Sequence, residues 1–151
     1  MKLLLVILLF LFGVDAMAAF DLRNQAGNTL RVSGGHWAVY LTLAETFGWI
    51  PKGTERPKNL PENQPWNGQY ASSDGQFVTD NDAKALAKIL HGVAVNPKIS
   101  IALQDVISNV EMQAERSGIA IPSQMRMKPE DFNKEFSPLL IFLYEGGFYI
   151  E

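Results

Sequence analysis

The sequence predicts an α+β fold: a small antiparallel sheet packed with three to four helices. Three observations carry that expectation. Two short runs, Phe20-Asp21-Leu22-Arg23 and Leu30-Arg31-Val32, alternate apolar and charged residues on either side of a turn composition, Asn24 to Asn28. Later segments repeat their apolar residues at helical spacing. The chain then closes on Phe148-Tyr149-Ile150-Glu151, which reads as a strand after a glycine pair. The sheet is expected to join the N-terminal hairpin, a central hairpin over Gln69–Val78 and the C-terminal strand.

Each element has its own signal. The first hairpin turns Phe20, Leu22, Leu30 and Val32 inward and leaves Asp21, Arg23 and Arg31 outside for cross-strand pairing. Ser33-Gly34-Gly35 stops the strand and starts a helix. Trp37, Tyr40, Leu41, Ala44 and Phe47 form its apolar stripe, and Gly48 ends it. Trp49 to Pro65 carries four prolines and few apolar residues, so an irregular loop is expected. Connections that long are either functional or mobile, which makes this one a candidate partner-contacting segment. Trp66 to Leu90 predicts a strand, a turn at Ser73-Asp74-Gly75, a strand and a helix. Thr79 is its N-cap, with Asp80 and Asp82 as first-turn acids. Ala83, Leu86, Ala87, Leu90 and Ala94 make its buried stripe, while Lys84, Lys88 and His91 share a solvated face.

Asn96-Pro97 restarts a helix, with Ile99, Leu103, Val106, Ile107, Val110 and Ala114 on its buried side as far as Gly118. The next loop holds Pro122, Met125 and Met127. Pro129 opens a short helical piece with Phe132 and Phe136 on one side. Pro138 predicts a break, with Ser137 capping a new turn. Leu139 to Leu143 is apolar all round and is expected to be buried, with Gly146 as its end.

The chain has 151 residues, enough for one domain over 19–151. Its net charge is −3 with signs mixed and no basic cluster, which disfavours a nucleic-acid partner. The absence of cysteine removes disulfides, thiol catalysis and Cys-based zinc sites. Met1-Lys2, the apolar run Leu3 to Phe12 and the small-residue end Gly13 to Ala18 match a secretory leader, with cleavage after Ala16 or Ala18. The apolar run is short of the roughly 20 residues that a membrane-spanning helix needs. Residues 1–18 therefore read as a signal peptide and the product as periplasmic or secreted, with no membrane partner once the leader is removed. A translation start at Met17 would instead leave the protein in the cytoplasm.

Candidate chemistry is sparse. With Gly75 as the sixth residue of a calcium loop, Tyr70, Ser72 and Asn81 fall at positions one, three and twelve, where carboxylates are missing. No metal and no cofactor is expected. His36 sits at a glycine-flanked helix entrance, where a base or an anion contact is conceivable and a solvated helix-end residue is the ordinary role. Ser33 or Ser73 with His36, or a carboxylate pair among Asp74, Asp80 and Asp82, would supply a hydrolase, but no spacing forces any of them together. Hydrolase, zinc and phosphate-loop motifs are absent. Trp49, Trp66, Tyr70 and His36 are the candidate contact residues.

Several stretches resemble a group of small uncharacterised bacterial proteins: A-F-D-L-R-N-Q-A-G-N (19–28), G-W-I-P-K-G-T (48–54), Y-A-S-S-D-G-Q-F-V (70–78) and the ending G-G-F-Y-I (146–150). The resemblance spans most of 19–151 and implies no established activity and no catalytic residues. The resulting expectation is a non-catalytic binding protein with a protein partner, in its sharpest form a toxin-neutralising, immunity-like protein. The alternatives are a small exported hydrolase-like enzyme and a protein tethered to the membrane by an uncleaved leader.

Overall fold

A computed structural model describes residues 19–96, 99–118 and 128–151. The leader, Pro97 of the helix-restarting pair and the loop with Met125 and Met127 lie outside the described residues. The architecture is α+β: one four-stranded antiparallel sheet and four helices among the described residues. The strands β1 (Ala19–Asn24), β2 (Thr29–Ser33), β3 (Gln76–Val78) and β4 (Phe148–Ile150) lie in the order β2-β1-β4-β3. The helices are α1 (Gly34–Thr46), α2 (Asp80–Ala94), α3 (Ile99–Arg116) and α4 (Pro129–Tyr144).

Alternation sets the β1–β2 register. Phe20 faces Val32 and Asp21 faces Arg31, so the apolar members turn inward and Arg31 reaches Asp21 at 3.9 Å on the outside. Leu30 is only half-buried against the core. Arg23 finds its partner at the other end of the chain, where its Nε donates to Glu151 at 2.9 Å and its guanidinium lies over the Tyr149 ring. The final strand is central, paired with β1 on one side and β3 on the other, and it buries Phe148 and Ile150 completely.

The Gln69–Val78 hairpin does not form. Only Gln76–Val78 is extended, paired with β4 and bridged at Phe77 to Glu55. Gln76 is the cause, because its fully buried amide becomes the hub of the preceding residues. Its Nε2 donates to the Ser72 carbonyl at 2.5 Å and to the Gln69 carbonyl at 3.3 Å, and its Oε1 accepts from the Asp74 amide at 2.9 Å. The chain therefore curls around a side chain instead of extending along a ladder. Gly75 does take the positive φ expected of it, at 81°.

The helices need smaller corrections. α1 buries more than one stripe: Trp37, Ala38, Val39, Tyr40, Leu41, Leu43 and Ala44 are all inside, so it is the core helix, and Trp37 meets Phe148 edge-on. Phe47, expected in its stripe, is 37% exposed because it sits at the cap where the helix stops. On α2, Val93 continues the buried stripe and Ala94 is exposed. Leu103, Val106, Ile107, Val110 and Ala114 of α3 are buried as expected.

α4 runs without a break through Pro138. A proline removes one helical hydrogen bond and crowds the carbonyl four residues back, at a cost of about 3 kcal/mol. Against it stands a single stripe of Phe132, Phe136, Leu139, Phe142 and Leu143, all buried, each contributing roughly 1.5–3 kcal/mol. Ser137 and Pro138 face solvent, as does Lys134, the residue four places back whose carbonyl loses its helical donor. Ile141, expected inside, is 63% exposed on the opposite face. Among the described residues no helix is long and apolar enough to cross a membrane.

Candidate functional site

The first cluster begins at Ser33, which ends β2 in an extended conformation. Its hydroxyl accepts from the His36 amide at 3.2 Å, capping α1 and fixing His36 in the first helical turn. The imidazole is directed at α4, where Nδ1 meets Glu135 Oε2 at 2.5 Å. Tyr40 lies one turn further along the same face of α1 and donates its hydroxyl to the same oxygen at 3.2 Å. Phe132 and Phe136 stack on each other and tilt against the Tyr40 ring, holding this part of α4 in place. The His36 side chain is only 13% exposed, whereas Glu135 is 45% exposed. His36 is therefore not the solvated helix-end residue that its position suggests. Burial, then the charge and hydrogen bond of Glu135, push the Tyr40 hydroxyl well above the usual tyrosine range, so it remains a donor.

The second cluster centres on Asp82, which is 1% exposed. The Tyr70 hydroxyl donates to Oδ2 and the Trp49 indole to Oδ1 at 3.2 Å. The two rings meet edge-on at 5.3 Å, and the Tyr70 oxygen in turn accepts from the Gly53 amide at 2.9 Å. Burial and then Asp82 raise the Tyr70 hydroxyl above its usual range. Asp82 is the first-turn acid of α2 that the sequence predicts, and it is buried there. Thr79 still caps α2 by accepting its amide, while its carboxyl turns inward to two buried donors.

Asp82 ties both ends of the irregular segment between α1 and β3 to α2. The middle is braced by its own side chains. Thr54 donates its amide to the Gly68 carbonyl at 2.9 Å and its hydroxyl to the Gln69 carbonyl at 2.8 Å. Trp66 donates to the Thr54 carbonyl at 3.0 Å. Arg56 gathers the carbonyls of Gln64 at 2.8 Å, Leu60 at 3.3 Å and Pro61. What faces outward is Ile50, 66% exposed, with Lys52, Lys58, Glu62 and Asn63.

Of the four candidate contact residues, Trp49 and Tyr70 come together, but inside; Trp66 is half-buried at the loop base. His36 belongs to the other cluster. Asp80 and Asp82 do not pair: Asp80 takes the Gly147 amide at 2.6 Å and lies 3.7 Å from Lys84, while Asp82 is internal. Ser73 and Asp74 are exposed, and His91 is on the surface against the Tyr144 hydroxyl. Sequence reasoning missed Glu135, Tyr40 and the inward role of Asp82. Tyr40 had a signal in its four-residue spacing from His36; Glu135, 99 residues away from it, had none. Among the described residues no group of three or more histidines and acids is placed to hold a metal ion. No family model matches the chain, and neither a curated protein nor a solved structure does.

Proposed function

We propose that this protein works by binding a protein partner through the outward rim of the braced loop, in the manner of a small toxin-neutralising protein. The observation behind this reading is the bracing itself. A long segment with almost no regular structure is held in one shape by Asp82, Thr54, Arg56, Trp66 and Gln76, at the cost of ordering many side chains. A loop ordered before encounter loses less conformational entropy on binding, which is how preorganised recognition loops gain affinity. The rim mixes Lys52 and Lys58 with Glu62, and it exposes Ile50 as an apolar anchor. An exposed apolar anchor accompanied by polar residues is the usual anatomy of a protein contact.

The test compares Ile50→Asp and Met112→Asp with the unmodified chain. Met112 is an exposed apolar residue on α3, outside the loop. Partners captured from the producing cell are identified by mass spectrometry and then titrated as purified proteins. A partner bound by the unmodified chain and by Met112→Asp, with at least tenfold weaker binding to Ile50→Asp, is the expected result. Equal binding by all three removes the loop from the account. For the toxin-neutralising form, co-expression of the chain must restore growth to cells producing that partner.

A further inference from the structure

The loop uses none of the residues at the α1–α4 junction, and that junction has a chemistry of its own. We propose that His36 is a catalytic base for the hydrolysis of small, uncharged carboxylic esters, with Glu135 and Tyr40 as its positioning residues. This inference is independent of the loop and its partner.

Glu135 accepts at Nδ1, so the proton of the neutral ring resides there and Nε2 carries the lone pair. A carboxylate holding the far nitrogen of a histidine is the arrangement that orients a general base and stabilises the imidazolium it becomes. Tyr40 shares the same carboxylate oxygen and restrains Glu135 from turning away. No hydrogen bond among the described residues occupies Nε2. The other polar clusters lack this property: two buried donors consume Asp82, and His91 lies against Tyr144 at the surface.

The substrate class follows from the surroundings. The imidazole is 13% exposed, so only a small area of the ring is open to solvent and a bulky substrate is disfavoured. Glu135 brings negative charge beside the ring, which repels an anionic substrate and leaves an uncharged one. Ser33 spends its hydroxyl on the His36 amide and makes no bond to the ring among the described residues, so water is the nucleophile. Nε2 takes a proton from water as the water oxygen bonds to the ester carbon. The tetrahedral adduct then expels the alcohol oxygen, which recovers that proton from Nε2, and the acid and the alcohol leave. General-base assistance of this kind contributes roughly 10²–10⁴-fold.

The experiment measures initial rates of p-nitrophenyl acetate hydrolysis by the full chain against an equal concentration of free imidazole. The unmodified protein must exceed imidazole, and His36→Gln must lose about a hundredfold in kcat/KM while His91→Gln loses nothing. Glu135→Gln keeps a hydrogen-bonding side chain on α4 and is expected to lower kcat about tenfold with KM unchanged. Diethyl pyrocarbonate labelling gives a second measure, with His36 modified faster than the more exposed His91 in the same chain. Hydrolysis no faster than imidazole, equal losses for the two histidine variants, or slower labelling of His36 overturns the proposal. A Glu135→Gln effect confined to KM removes the positioning role.

Discussion

Replacing Asp82 with alanine tests whether one buried carboxyl fastens the irregular loop to the helical layer. Two donors depend on it, the Trp49 indole and the Tyr70 hydroxyl, and both side chains are buried. Each donor left without a partner costs about 1–3 kcal/mol. The deleted atoms leave a small cavity, and alanine restores no hydrogen bond, so a total loss of about 4 kcal/mol is expected. Domains of this size are stable by about 5–15 kcal/mol, so the variant should fold and be measurable. In urea, with a slope of about 2 kcal/mol per molar, the midpoint should fall by about 2 M. Tyr70→Phe removes only one of the two donors but also strands the Gly53 amide, and should cost about half as much. The two residues touch, so the double variant should lose less than the sum. A loss below 1 kcal/mol for Asp82→Ala, or strict additivity, would refute the reasoning.

Two further outcomes are expected. Glu45 is half-buried on α1, and burial raises its carboxyl from 4.5 to about 7. A group whose folded value lies above its unfolded one contributes stability below about pH 4.5 that is lost as pH rises through 7. The shift of about 2.5 pH units sets a ceiling near 3.4 kcal/mol, and partial exposure screens it to about 1 kcal/mol. Glu45→Gln should therefore match the unmodified chain near pH 4.5 and exceed it by about 1 kcal/mol at pH 8 in chemical denaturation; a gap independent of pH would contradict this. Gly147 is a position of close approach, where a Cβ would lie 2.9 Å from the Val78 carbonyl and 2.5 Å from the Phe77 ring. The ring can swing but the strand backbone cannot, so Gly147→Ala should cost about 2 kcal/mol and lower Tm by about 4–8 °C in a thermal melt.

The parts of the fold that local pattern specifies were legible. The first hairpin needed only alternation and a turn, α2 only a threonine cap and a periodic stripe, and β4 a short apolar strand beside glycines. The parts decided by distant partners were not. Nothing in the local pattern marks Gln76 for burial, yet it is buried and Phe77 is half-exposed, because loop carbonyls arrive to satisfy the amide. Asp82 reads as a helix-start acid until two aromatic donors, 12 and 33 residues earlier, fold onto it. Pro138 reads as a break because proline is judged against its own turn, while the packing that overrides it is tertiary. Buried polar groups are the least legible residues here, since their partners, and not their neighbours, decide where they point.

The two clusters share one beam. His36 and Trp37 are consecutive on α1, and the helix turns them about 100° apart. His36 goes to Glu135, whereas the Trp37 indole donates to the Tyr70 carbonyl at 2.8 Å, at the far end of the braced loop. Any substitution that shifts α1 therefore disturbs the loop and the imidazole together. A loss of both properties in such a variant would say nothing about either. Residues that separate them must stand off that helix, and two do. Ile50 is on the loop rim and Glu135 is on α4. If binding resides on the loop rim and hydrolysis at His36, Ile50→Asp weakens the first at least tenfold and spares the second, and Glu135→Gln slows the second about tenfold and spares the first.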